Sequence, residues 1–177
     1  MLLVHERALK DKAIFLITQA RDKAPFYLHS ETGYNYRLSN ICAGIGLGQM
    51  EVLPARVEQR RAHFETYRRL LAPAGFEFTA EPAGFHANRW LTTCLLPDSA
   101  TLDPHALMTA LDGHNVEARR IWKPLHTQPL FKTNEFFSTH ALPVAEKIFD
   151  RGLCLPSGTA MSEATVEKIA AIIRSLV

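Results

Sequence analysis

From Leu9 to Ala20 and again from Met50 to Leu71 the apolar positions recur mostly at three- and four-residue steps, and after residue 85 they gather into short runs separated by helical stretches. Leu9, Ala13, Leu16, Ile17 and Ala20 predict a helix from His5 to about Arg21, with Pro25 closing it off. The four residues before it, Met1 to Val4, read as the tail of a strand whose partners lie elsewhere. From Asn40 to Leu71 the stripe Met50, Leu53, Val57, Phe64, Tyr67 and Leu71 predicts a long helix with one face in a core. Pro54 inside it predicts a kink or a fresh start, with the proline in a first turn. Pro73 to Phe85 reads as a linker or irregular edge. Trp90 to Leu96, Val116 to Ile121 and Leu153 to Leu155 then read as strands. Between and after them come three helices. One opens at Asp103-Pro104 and stops at Gly113; one follows Ala141 with Val144, Ala145, Ile148 and Phe149 inward and stops at Gly152; one is capped by Ser162 and buries Val166, Ile169, Ile172, Ile173 and Leu176. Strands alternating with helices mark a small α/β or α+β layer.

Three glycines interrupt the start of the long helix, Gly44, Gly46 and Gly48. Each costs about 1 kcal/mol in a helix interior relative to alanine. A helix carrying three of them needs close packing against another backbone, which suggests a surface shared with something else. The run Gly44-Ile45-Gly46-Leu47-Gly48 is no dinucleotide fingerprint, because its spacing is wrong and no strand precedes it in a βαβ unit.

Composition narrows the class. At 177 residues with 47% hydrophobic side chains the chain can build a sizeable core. Twenty basic against 18 acidic residues leave a net charge of +2, which offers nothing to a nucleic acid or a membrane surface. Cys42, Cys94 and Cys154 are odd in number, far apart and apolar in setting, as expected of buried thiols in a reducing compartment. With no apolar run of spanning length and no signal-peptide pattern, the expectation is a cytoplasmic chain.

Three polar clusters carry candidate chemistry. Gly33-Tyr34-Asn35-Tyr36-Arg37-Leu38-Ser39-Asn40 is dense in hydrogen-bonding groups, and reads equally as a ligand site or as a loop in which Ser39 or Asn40 caps the next helix. Arg119-Arg120-Ile121-Trp122-Lys123-Pro124-Leu125-His126 offers guanidinium groups for a phosphate or carboxylate and an indole face for a ring. Pro156-Ser157-Gly158-Thr159 is a turn of small hydroxyl residues. Each has a plain alternative: solvated ion pairs for the arginines, a satisfied structural imidazole for His126, and a simple turn for Ser157. No HExxH, Cys/His ligand spacing or Gly-x-Ser-x-Gly elbow occurs, so no metal ligand or serine nucleophile is assigned.

Taken in order, these clusters resemble the C-terminal portion of the DegT/DnrJ/EryC1/StrS family of sugar-nucleotide aminotransferases. The resemblance runs through Gly33 to Asn40, Gly44-Ile45-Gly46, Gln49-Met50-Glu51, Arg60-Arg61 and Tyr67. It continues through Arg119, Trp122 to His126, Gln128, Phe131-Lys132 and Gly152 to Thr159. Thr18 to Arg21 and Asn88-Arg89-Trp90-Leu91 look closest to members that aminate a UDP-4-keto-6-deoxy-N-acetylhexosamine.

The resemblance implies an α/β fold, the C-terminal half of a fold-type I pyridoxal phosphate aminotransferase: residues 1–72 as the remainder of the large domain with its connecting kinked helix, and 73–177 as a small α+β domain. It implies a homodimer with sites at the subunit interface, a UDP-linked keto or amino sugar as substrate and glutamate as amino donor. Asn35 would contact the neighbouring subunit's cofactor phosphate and Arg37 the substrate diphosphate, while Arg119, Trp122 and His126, with His29 beside them, would line the substrate side. Arg120 and Ile121 stand where a Pro-Leu pair is more usual. Transamination needs a Schiff-base lysine, an acidic partner for the ring nitrogen and a phosphate cradle. Met1 to Val4 resembles the strand that follows that lysine, and none of Lys10, Lys12, Lys23, Lys123, Lys132, Lys147 or Lys168 matches its position. The resemblance therefore assigns no catalytic residue and predicts a chain that is inactive and binds no cofactor alone.

Overall fold

A computed structural model describes residues 2–139 and 143–177. The chain divides into two compact units, residues 1–52 and 53–177, with the division inside one helix.

In the first unit, α1 (Arg7–Ile17) ends four residues sooner than the periodicity suggests. Gln19 and Ala20 take positive φ, 71° and 48°, so the chain leaves the helix through the left-handed region, and Ala20 donates its N–H back to Phe15 O at 2.9 Å. Leu2 to Val4 are exposed and lie in no strand, and Met1 is outside the described residues. The segment Gly33 to Tyr36 instead pairs with the end of α1. Tyr34 N–H donates to Leu16 O, Gln19 N–H to Tyr34 O and Tyr36 N–H to Ile17 O, with Thr18 and Asn35 as an isolated antiparallel bridge. A Cβ on Gly33 would run into the backbone of Gln19 and Ala20, so the close approach needs glycine there.

The long helix α2 (Asn40–Leu71) has the predicted bounds. Ser39 is its cap, its Oγ accepting from Cys42 N–H at 3.2 Å. The helix continues through Pro54 as one element of 32 residues, about 48 Å long, so the fresh start expected at the proline does not occur. The predicted core stripe is only half realised. Phe64, Tyr67 and Leu71 are buried, whereas Met50 and Leu53 are exposed. A Cβ on Gly44, Gly46 or Gly48 would meet no atom within 4 Å, so among the described residues nothing supplies the packing these glycines call for.

The second unit is built on a four-stranded antiparallel sheet, ordered β1 (Glu77–Phe78), β2 (Thr92–Leu95), β4 (Gly152–Leu155), β3 (Arg119–Arg120). Thr92 pairs with Leu155, Leu95 with Gly152, and Arg119 with Cys154. β4, central and buried along its whole length, takes the apolar residues Leu153 and Leu155. α3 (Pro104–Asp112) and α5 (Glu163–Leu176) pack on each other and, with the end of α2, close the core around Tyr67, Leu107, Leu111, Leu153, Val166 and Ile173. Their caps are those read from the sequence: Asp103 accepts from Ala106 N–H and Ser162 from Thr165 N–H.

Three expectations change here. The strand expected over 116–121 shrinks to two residues, because Asn115 has φ 57° and Val116 N–H returns to Leu111 O, folding the approach into the end of α3. The supposed linker of 73–85 contains β1 and the buried Phe76. And α4 (Val144–Arg151) does stop at Gly152, yet Val144, Ala145 and Ile148 face outward and Phe149 is half-buried; Ala141, which marked its approach, lies outside the described residues. Among the described residues no helix is long and apolar enough to cross a membrane.

Candidate functional site

Each unit carries a cavity. That of the second unit, of about 860 Å³, lies against β3, the start of β2, the turn after β4 and the flank of α5. Arg119 and Trp122 line it together with Ser157 and Gly158, so the second and third polar clusters meet in space. Arg119 binds Glu117 Oε1 through Nε and Nη2 at 2.9 and 2.7 Å. Both side chains are mostly exposed, so the pair contributes under about 1 kcal/mol and the guanidinium can exchange this carboxylate for a ligand anion. Arg120 is committed otherwise, donating to Phe149 O and lying over the Phe149 ring with 4.5 Å from its guanidinium carbon to the centroid.

Ser157 is structural in this setting. Its buried hydroxyl accepts Thr92 N–H at 2.8 Å and donates to Leu155 O at 2.9 Å, tying the turn to the start of β2. Tyr67 donates to Pro156 O at 3.1 Å from the core side, and burial pushes its phenol well above the ordinary range. Cys154 lines the cavity but burial raises its thiol too, which leaves it protonated and a poor nucleophile.

His126 is not among the residues of this cavity. It sits in a small hollow of about 170 Å³ with Leu125 and Phe131, its Nε2 2.9 Å from Glu146 Oε1 and its ring stacked on Phe136 at 3.8 Å between centroids. The cavity also holds residues that no motif singled out for the site: Trp90, Lys168 and His114. In the sequence Trp90 stands out as the start of a strand and as part of Asn88-Arg89-Trp90-Leu91, not as a site residue. Lys168 follows the Ser162 cap by six positions and carried no local signal.

In the first unit, Asn35 and His29 line an open hollow of about 700 Å³ together with Tyr27, Ser30, Glu31 and Thr32. His29 Nδ1 lies 3.0 Å from Gln19 O. Asn35 is held by its backbone bridge to Thr18, and Tyr34 and Tyr36 stack at 5.1 Å on the exposed side. Arg37, exposed, lines neither cavity.

Along residues 1–174 the sequence matches the model of the DegT/DnrJ/EryC1/StrS aminotransferase family, and the chain belongs to that family. It is 48% identical over 165 residues to EpsN of Bacillus subtilis (strain 168), by its name a candidate pyridoxal phosphate-dependent aminotransferase, covering 92% of this chain and 42% of EpsN. It is 29% identical to GDP-perosamine synthase of Vibrio cholerae, covering 99% of this chain and 47% of that enzyme. Among solved structures, PseC of Helicobacter pylori, an aminotransferase involved in the biosynthesis of pseudoaminic acid, superposes with a TM-score of 0.77 at 20% identity, over 97% of this chain and 46% of PseC; this likeness is one of fold. The chain thus spans a little under half the length of the relatives it matches.

Enzymes of the family use pyridoxal phosphate. Its chemistry needs a lysine, a carboxylate for the ring nitrogen and a phosphate cradle in one place. The hollow around Asn35 has hydroxyl groups from Ser30 and Thr32 but no lysine among its lining residues, and its carboxylate, Glu31, is paired with Lys12. The larger cavity has Lys168, but its carboxylate, Glu117, holds Arg119. The residues in hand do not by themselves fit the cofactor. Among the described residues no cluster of three or more His, Cys, Asp or Glu could hold a metal ion.

Proposed function

We propose that these residues are the C-terminal part of a pyridoxal phosphate-dependent aminotransferase that moves an amino group from glutamate to a nucleotide-linked 4-keto-6-deoxy sugar. The observation that carries this reading is the meeting of Arg119 and Trp122 in one 860 Å³ cavity, a cation for a diphosphate beside an indole for a ring. In this proposal residues 1–72 complete the large domain, 73–177 form the small one, and the active form is a cytoplasmic homodimer. The Gly33 to Asn40 arm serves a neighbouring subunit, with Asn35 toward the cofactor phosphate and Arg37 toward the substrate diphosphate. His126 and His29 stand on the substrate side.

The chain alone does not transaminate, because neither cavity unites the groups that the cofactor requires. Absorbance of the chain mixed with pyridoxal phosphate tests this: no borohydride-reducible aldimine band is expected, and a band that maps to Lys123 or Lys168 would refute it. A second reading, a non-catalytic fragment that self-associates, rests on the exposed apolar side chains of α2, Ile41, Ile45, Leu47 and Met50 among them. Sedimentation as a monomer at all concentrations would count against it, and calorimetric titration with a UDP-sugar separates a binding module from an inert remnant.

A further inference from the structure

Trp90 and Trp122 are the only two tryptophans of the chain, and they adjoin the two strands that flank β4 from opposite sides, Trp90 just ahead of β2 and Trp122 just after β3. Their rings nevertheless come together, 5.9 Å between centroids with a 36° tilt, on the wall of the same cavity. They remain 58% and 61% exposed, a large apolar surface left uncovered.

The backbone under Trp90 is unusually well fixed for an exposed residue. Asn88 Oδ1 accepts Trp90 N–H at 3.1 Å, and Arg60 donates to Trp90 O. Arg89, between them, is held at φ 47°, a conformation that disfavours any residue but glycine. Its guanidinium is fastened in three ways: over the Phe64 ring at 3.8 Å, to Thr79 O at 3.2 Å and to Glu81 at 3.8 Å. Arg61 braces the same loop by bonding Ala87 O at 2.6 Å. Strain held by this many contacts serves to aim the next side chain, and that side chain is an indole pointed at a cavity with Arg119 and Lys168 on its walls.

Resting on the sugar-nucleotide reading, we propose that the Trp90–Trp122 pair is a platform on which the base of a nucleoside diphosphate stacks, with Trp90 as a binding residue and its diphosphate turned to Arg119 and Lys168. Two indoles in contact cannot sandwich a ring between them, so the base lies on their shared outer face. Stacking tolerates either pyrimidine or purine and makes the platform an affinity device rather than a reader of base identity.

Because both tryptophans are in the platform, intrinsic fluorescence reports on it directly. UDP and GDP should each quench the emission of the 177-residue chain and bind at least tenfold more tightly than inorganic pyrophosphate. Calorimetry on Trp90→Leu should show UDP affinity reduced about tenfold or more, pyrophosphate affinity unchanged, and most of the loss restored in Trp90→Phe. Circular dichroism establishes that each variant is folded, and Trp122→Leu supplies the second test should Trp90→Leu unfold. UDP binding that is indifferent to both substitutions overturns the platform while leaving the sugar-nucleotide reading in place. Failure of the unaltered chain to bind any nucleoside diphosphate overturns both. A change in sedimentation on Trp90→Leu without a change in UDP affinity would assign the indoles to a protein interface and overturn the platform as well.

Discussion

Ser157 Oγ receives the amide hydrogen of Thr92 and passes its own to Leu155 O, so one buried hydroxyl joins the start of β2 to the end of β4. With Ser157 5% exposed, water is poorly placed to replace it. Ser157→Ala strands the Thr92 amide and should lower stability by about 1–3 kcal/mol, read from urea denaturation. An unchanged midpoint would mean the turn relaxes enough to let water in.

The phenol of Tyr67 meets Pro156 O from below the same turn. Removing only the hydroxyl, as Tyr67→Phe does, should cost about 1 kcal/mol. The raised phenol also has a signed pH effect. Its folded pKa lies above the ordinary value of 10.0, so its contribution is complete below pH 10.0 and is lost as the pH rises from there through the folded pKa. The alkaline loss of stability should therefore be shallower in Tyr67→Phe than in the parent chain.

On the acid side the titrating group is Glu81, whose carboxyl is held below its ordinary 4.5 chiefly by the hydrogen bond from Arg61 at 2.8 Å. A depressed carboxyl stabilises the fold above its unfolded pKa, and that contribution disappears as the pH falls through the folded value. Thermal melts below pH 4.5 should show Glu81→Gln losing less stability per pH step than the parent. Parallel curves would remove the Arg61–Glu81 pair as a contributor.

Thiol chemistry separates the three cysteines. Cys42 is exposed on α2, whereas Cys94 is buried, its thiol pushed up to about 12, and Cys154 is buried beside it with its own thiol raised. One thiol should react rapidly with a disulfide reagent under native conditions and all three in denaturant. Slow reaction of Cys42 that speeds on dilution would reveal an assembly covering the start of α2.

The glycines of α2 make opposite predictions for the isolated helix and for any assembly. Open space around Gly46 means that Gly46→Ala should raise the stability of the chain by up to about 1 kcal/mol, read by circular dichroism. If another backbone packs on that face, the same substitution should weaken self-association in sedimentation. Gain in both would show that the glycines serve no interface.

Those glycines also show what was legible in advance. The bounds of α2, α3 and α5 could be read because a cap residue, Ser39, Asp103 or Ser162, stands where each begins. The orientation of α4 could not. Its apolar spacing is that of a core helix, but spacing says which residues share a face and nothing about whether a partner is present to cover it. The end of α1 was hidden for a related reason, since Gln19 and Ala20 carry no sequence sign of their left-handed backbone, which the pairing with Tyr34 imposes. Of the site, Arg119 and Trp122 were visible as neighbours in one motif. Trp90 and Lys168 join them only because β2 and α5 border the same cavity, a juxtaposition made by the sheet order and invisible to local spacing.

The absence of a side chain at Gly33 has a practical consequence. The residue heads the segment that carries Asn35 and Arg37, and what it accommodates is the backbone turn at Gln19 and Ala20 of the same chain. A substitution there would dislodge the segment from its root, and any binding by Asn35 or Arg37 would be lost with no contact of Gly33 to a ligand. A genetic screen would score Gly33 as a binding residue, and only the melting behaviour of the variant would show that it is a hinge pin.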